Sequence, residues 1–185
     1  MSGKDFFTPL YEVAKLVNAS LEPTEVLRRI TEAVAKAMEV KACGLRVLDK
    51  SGKRLLMGAN YGLSEGYIRK GPVLVEASGL DRKALSGTSV YVADAQTDPD
   101  FQYNERAKAE GIRSVLVVPL MVEGKPIGVL RVYTGEPREF SDEEVRFLEA
   151  VANLSAIALE NARLHQALKQ DYDLLLAHEY RLDDN

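Results

Sequence analysis

Apolar positions at the start of the chain recur at helical spacing. Phe7, Leu10, Tyr11, Ala14 and Val17 fall on one face before Asn18-Ala19-Ser20 ends the pattern, which predicts a short amphipathic helix. A second helix begins at Pro23, a residue suited to the first helical position, with Glu25 in the first turn and Leu21 and Val26 placed as a hydrophobic staple. Its buried stripe is expected to be Leu27, Ile30, Val34, Ala37 and Met38. After Glu39 the period changes. Residues 43–49 and 54–60 read as two strands joined by a turn at Gly52, and so as a β-hairpin.

Residues 61–113 are broken by Gly62, Gly66, Gly71, Pro72, Gly79 and Gly87, with one short helix expected near Leu80 to Leu85. A short strand ends at Asp94, and a turn-rich loop leads to a short helix stopped by Gly111. Two longer strands, Ser114 to Met121 and Pro126 to Tyr133, form a second hairpin. They are rich in β-branched residues with little polar alternation, which predicts burial on both faces. The last element is the best specified. Ser141 and Glu144 make a capping box, Phe140 and Val145 a staple, and neither glycine nor proline follows. Within that long helix Val151, Leu154, Ala158, Asn161, His165, Leu168, Tyr172 and Leu175 follow a four-three spacing that fits a coiled-coil seam.

Composition adds constraints. A chain of 185 residues with 46% apolar content fits one globular domain, long enough to build a core without disulfides or metal. The single cysteine, Cys43, excludes an intrachain disulfide and a Cys-rich metal site, and opens a strand where a small buried residue suits. The net charge of −4 resides wholly in residues 171–185, where Asp171, Asp173, Glu179, Asp183 and Asp184 face Arg181. A neutral body with an acidic tail offers no electrostatic footprint for nucleic acid or an anionic membrane, and neither is expected as a partner. The absence of a signal-peptide pattern or a long apolar run makes the expected location cytoplasmic.

The order of elements, together with the runs Ala84 to Phe101, Gly111 to Tyr133, Phe140 to Glu144 and Ala152 to Leu168, resembles the GAF domain, a relative of PAS sensor domains. The resemblance covers about Leu21 to Leu168. It implies an α+β fold: an antiparallel β-sheet of five or six strands, terminal helices on one face, loops and short helices over the other, and a long C-terminal helix. The expected division is an N-terminal helix in 1–20, the GAF-like domain in 21–168 with its final helix beginning near 142, and an acidic helical extension or tail in 169–185.

Candidate chemistry is sparse. Both histidines, His165 and His178, lie in the terminal helix, away from the expected pocket, which argues against nucleophilic catalysis, haem ligation and metal binding. No phosphate-cradling glycine loop occurs. The Asn-Lys pair of the cyclic-nucleotide-binding branch of the family is absent, and Phe140-Ser141-Asp142-Glu143 has the wrong spacing for its second half. Ligand-lining candidates are Tyr61, Tyr67, Leu80, Tyr91, Asp94, Phe101, Arg113 and Ser114. Asp94 suits an amine or hydroxyl and Arg113 a carboxylate or phosphate; the competing reading gives Asp94 to its own turn and Arg113 to an acidic partner. The dimer seam is expected at Val151, Leu154, Ala158, Asn161, His165 and Leu168, with the N-terminal helix contributing. The resulting expectation is a non-enzymatic sensory or regulatory module, without cofactor or metal, that binds a small molecule and signals as a homodimer, either to an output protein in trans or as part of a larger signalling protein. The alternative is a ligand-free structural dimerisation domain; cyclic-nucleotide binding and redox catalysis rank behind both.

Overall fold

The computed structural model describes residues 3–19 and 22–182. Leu21, half of the expected second-helix staple, and the acidic residues Asp183 and Asp184 lie outside the described residues. Helix α1 spans Phe7–Val17 and α2 Pro23–Met38. Strands β1 (Ala42–Leu48) and β2 (Arg54–Tyr61) form the first hairpin, with Gly52 at φ 71° in its turn. The middle region holds α3 (Glu65–Ile68), β3 (Val73–Leu74), a single 3₁₀ turn, α4 (Gly79–Leu85), β4 (Val90–Val92) and α5 (Asn104–Glu110). Strands β5 (Val115–Val122) and β6 (Lys125–Tyr133) make the second hairpin, and α6 runs from Asp142 to Leu182.

The six strands form one antiparallel sheet in the order β3-β2-β1-β6-β5-β4. Its register settles which residues face which way. Leu45 lies opposite Leu130 and Cys43 opposite Val132, and all four join the core beneath the helices with Leu116, Val118 and Leu120. From the helices come Val13, Leu27, Ile30, Val34, Met38, Phe147, Leu148 and Val151. Each large apolar side chain enclosed here contributes about 1.5–3 kcal/mol of burial. The alternate strand residues, Val115, Val117, Val129 and Tyr133, turn to the opposite face and meet Tyr67, Leu80, Phe101 and Ile112 from the middle region. Burial of β5 and β6 on both faces is as the sequence predicts.

Local chemistry explains the ends of elements. The capping box is formed: the Ser141 amide donates to Glu144 Oε2 at 3.0 Å and the Glu144 amide to Ser141 Oγ at 3.2 Å. Glu144 also pairs with Arg138, which donates a second bond to the Glu39 carbonyl, so the start of α6 is tied to the end of α2. On α1 the buried face differs from expectation. Val13 is enclosed with Phe6, Leu10 and Leu16 packed around it, while Phe7 and Tyr11 are exposed. Leu10 and Val17 pack on the core as predicted, whereas Phe6 and Val13 take the places expected for Phe7 and Tyr11, because Phe6, just before the helix, stacks on Phe147 at 4.8 Å and sets the rotation of the helix.

Candidate functional site

On the loop face of the sheet two long cationic side chains are enclosed. Arg46, from β1, is 1% exposed and Arg131, from β6, 2% exposed; they are the two largest fully buried side chains described. Gly44 lies opposite Arg131 and Arg46 opposite Val129, so the two arginines are diagonal neighbours on adjacent strands. Glycines fix the local backbone. A side chain at Gly128 would overlap the Arg46 carbonyl oxygen, and the register between β1 and β2 shifts at Leu45/Arg46, where Gly58 is the extra residue. β1 is thereby pressed against β6 at the residue that carries the buried charge.

The roof supplies the rest of the set. Asp81, in the first turn of α4, is fully buried, accepts from Ser78 Oγ at 2.5 Å and pairs with Arg131. Lys70, just after α3, lies 4.3 Å from the ring centre of Tyr67 and 4.9 Å from that of Tyr103. Tyr67 and Tyr133 meet edge to face at 6.3 Å. Arg46 Nη1 reaches the Leu55 carbonyl at 3.5 Å, a long contact. Of the eight buried side-chain atoms without a hydrogen-bond partner among the described residues, seven belong to this set: Arg46 Nε and Nη2, Arg131 Nε, Lys70 Nζ, Asp81 Oδ1, and the hydroxyls of Tyr67 and Tyr133; the eighth is Arg113 Nε. Buried polar atoms are nearly always paired, so this concentration singles out the region between sheet and roof as a candidate ligand chamber.

Electrostatics shows that these groups act on one another. Burial, with the charges of Arg46 and Arg131, lowers Lys70 to about 7; Asp81 opposes the shift and Arg106 adds to it. Burial raises the Tyr67 phenol, Tyr133 adding to the rise and the arginines opposing it. For Arg131 burial works to lower the pKa, and Asp81 and the two tyrosines more than offset it, leaving the guanidinium raised and charged.

The sequence candidates divide. Tyr67, Leu80 and Phe101 do lie in the roofed core. Tyr61 does not: it pairs with Cys43 in register and so lies on the helix face, with Lys36 6.0 Å from its ring. Tyr91 is 43% exposed, and its hydroxyl donates to the Arg138 carbonyl at 2.9 Å, bracing the segment that leads into α6. Asp94 accepts from the Gln96 amide at 3.0 Å and from Arg113 at 3.1 Å, and Ser114 donates to the Ala93 carbonyl at 2.8 Å. These three close the junction of β4 and β5, the structural role weighed against ligand binding. Of the seam residues, Val151 is fully buried in the chain's own core, and Leu154 and Ala158 pack against it. Leu168 of that seam, with Tyr172 and Leu175 further along the same spacing, is exposed, as are Ile157, Leu164 and Leu174 outside it. Asn161 and His165 border a groove of about 320 Å³ between α6 and the start of α2.

Sequence reasoning missed Arg46, Arg131, Lys70 and Asp81. Two of them carried a signal: Arg46 and Arg131 are charges set inside strands otherwise apolar on both faces. Cys43 is fully buried, and burial pushes its thiol pKa up, away from the range of a reactive thiolate. Among the described residues there is no cluster of His, Cys, Asp and Glu able to hold a metal ion, and no helix long and apolar enough to cross a membrane.

A family model for the GAF domain matches residues 20–160. The chain belongs to the GAF domain family. Among similar proteins, a Nif-specific regulatory protein of Azorhizobium caulinodans is 26% identical over 94% of this chain and 29% of its own length. A methyl sulfide methyltransferase-associated sensor of Methanosarcina acetivorans is 29% identical over 82% of this chain and 16% of its own length. The chain thus spans less than a third of either relative. The solved GAF domain of a phosphoenolpyruvate-protein phosphotransferase from Coxiella burnetii superposes with a TM-score of 0.78, at 21% identity, over 88% of this chain and 96% of that one; this likeness bears on the fold. The curated relatives named here are regulatory or sensory proteins, and in this GAF domain the roofed face of the sheet is where the unpaired polar groups gather.

Proposed function

We propose that this GAF domain is a non-enzymatic sensory or regulatory module of the cytoplasm, which binds a small molecule between the sheet and the roof and signals through a helix-mediated homodimer. One observation carries the reading: the buried, unpartnered polar atoms of Arg46, Arg131, Lys70, Tyr67 and Tyr133 converge under segments that are short and rich in turns. Filling the chamber orders the roof, and the roof reaches α6 indirectly. Tyr91 of β4 holds the Arg138 carbonyl, while Arg138 pairs with Glu144 in the first turn of α6.

The route out is α6, which continues well past its last contacts with the sheet and leaves Ile157, Leu164, Leu168 and Leu175 uncovered. Their spacing of seven, four and seven residues fits a seam for a second copy that keeps Leu168 and Leu175 of the pattern read in the sequence and leaves out Val151, Leu154 and Ala158, which are engaged inside the domain. Phe7 and Tyr11 of α1 are the exposed apolar residues through which the N-terminal helix joins it.

Native mass spectrometry of the purified chain, set beside its denatured mass, tests both halves. A noncovalent small-molecule mass on a dimer is expected. Dimers without added mass, from a preparation never dialysed, favour the ligand-free structural domain. That alternative rests on the packing of Tyr67, Leu80 and Phe101 under the roof. Monomers at high micromolar concentration contradict the helix-mediated dimer.

A further inference from the structure

The chamber holds more positive charge than the protein neutralises. Arg46 and Arg131 come from the sheet and Lys70 from the roof, with Arg106 of α5 close enough to act on Lys70, whereas Asp81 is the one fully buried carboxylate described. Asp81 is committed to Arg131 and Ser78 through a single oxygen, Oδ2. Arg46 has no carboxylate partner among the described residues; its one contact is the long one to the Leu55 carbonyl. An enclosed guanidinium without a counter-charge is among the costliest arrangements in a protein interior.

The free atoms of Arg46 have a shape. Nε and Nη2 are both unpartnered, and they form the side-on edge of the guanidinium, the edge that takes two oxygens of a carboxylate or phosphate in parallel hydrogen bonds. Arg131 adds an unpartnered Nε, and the Tyr67 and Tyr133 hydroxyls add two further donors. Lys70 Nζ, also unpartnered, lies on the roof side against the Tyr67 and Tyr103 rings.

We propose that the ligand of this chamber is a small anion bearing a carboxylate or phosphate group, seated on the Nε–Nη2 edge of Arg46, backed by Arg131 and closed over by Lys70. The proposal rests on the sensory reading above and names its ligand class. A proton accompanies the anion. Arg46, Arg131 and Arg106 disfavour the charge of Lys70, and Asp81 favours it. A negative group placed among them reverses the balance, so binding above neutral pH draws a proton onto Lys70. The charged Lys70 then holds the roof down on the ligand.

Thermal unfolding and titration calorimetry of the full chain test this with inorganic phosphate, malonate and acetate, set against malonamide and acetamide as uncharged counterparts, at constant ionic strength. At least one anion is expected to bind and raise the unfolding temperature while the amides do nothing. Arg46→Gln is expected to weaken that binding by about 10- to 100-fold, the scale of lost charge-assisted hydrogen bonds. Lys70→Met weakens it too and abolishes the proton uptake measured at pH 8 in buffers of different ionisation enthalpy. Should Arg46→Gln fail to melt cooperatively, Lys70→Met, from the roof rather than the sheet, carries the test. Equal binding of acids and amides, unchanged affinity in the variants, or no binding by any anion of the panel overturns the proposal. If a neutral molecule is found as added mass in the native protein, the anion class fails and the sensory reading stands. If neither added mass nor binding is found, both fail.

Discussion

The two faces of the sheet are built on opposite plans. Under α1, α2 and α6 the core is dry: Leu45, Leu116, Leu120, Leu130 and Val132 meet Ile30, Val34, Met38, Phe147 and Leu148, all nearly or fully buried. Under the roof an apolar rim of Val117, Val129, Leu80 and Phe101 surrounds Arg46, Arg131 and Asp81. The elements covering the faces differ as well. The helix layer uses helices of 11, 16 and 41 residues, whereas no helix of the roof exceeds 7. The roof is stitched by polar contacts near the surface, such as Lys83 with Asp100 at 2.6 Å, Ser64 with Glu110 at 2.8 Å and Tyr103 with the Pro72 carbonyl at 2.9 Å. Contacts of this kind open locally at small cost, while a packed apolar layer opens only with global unfolding. One sheet thus backs an apolar helix layer on one side and, on the other, the candidate site under a roof of short elements.

Substitutions separate the two plans. The largest effect is expected from Arg131→Met, which leaves Asp81 buried without its partner and costs about 3–5 kcal/mol, a fall of roughly 10 °C in unfolding temperature. Adding Asp81→Asn to that variant is expected to recover much of the loss, a nonadditivity readable in a double-mutant cycle. On the dry face Leu130→Ala costs about 2–5 kcal/mol through lost burial and the cavity left behind. That variant should leave ligand affinity unchanged, and a large affinity loss would show that the faces are not independent.

Ser141→Ala removes one half of the capping box and is expected to cost about 1 kcal/mol, read as a lower unfolding temperature and a loosened start of α6 in hydrogen exchange. The smallest effect has the opposite sign. Lys70 is held below its ordinary value of 10.5, at about 7, so between those values the unfolded chain binds a proton that the folded chain does not. Stability therefore rises with pH across that window, and the penalty from Lys70 is present in full below about pH 7. Lys70→Met removes it. With allowance for the solvent that reaches this side chain, the gain is about 1 kcal/mol, or roughly 3 °C near neutral pH, shrinking as pH approaches 10.5. A constant gain across that range would place the effect in packing instead of charge.

The helix side of the molecule was legible in the sequence because its signals are local. The Ser141/Glu144 pair and Pro23 at the start of α2 each act within one turn, and each does what the pattern predicts. Tyr61 was misplaced for a reason of a different kind. Strand facing depends on register, and Tyr61 follows a bulge at Gly58 that single-sequence alternation does not reveal. Val151 was assigned to a second copy because a heptad records which positions are apolar and not which partner covers them. The centre of the site was least legible. Arg46 and Arg131 are 85 positions apart in the sequence and meet because β6 returns to lie beside β1, a pairing that no short-range pattern encodes. Their one visible trace was a charge inside an otherwise apolar strand.

The most direct measurement is the electron density of the chamber in a crystal structure of the chain purified without ligand exchange. Density for a small molecule spanning the free edge of Arg46 and Lys70 is expected, absent or displaced in crystals of Arg46→Gln. A chamber whose orphaned atoms are all satisfied by ordered water, identical in the wild type and the variant, would contradict the claim that this face of the sheet is a ligand site.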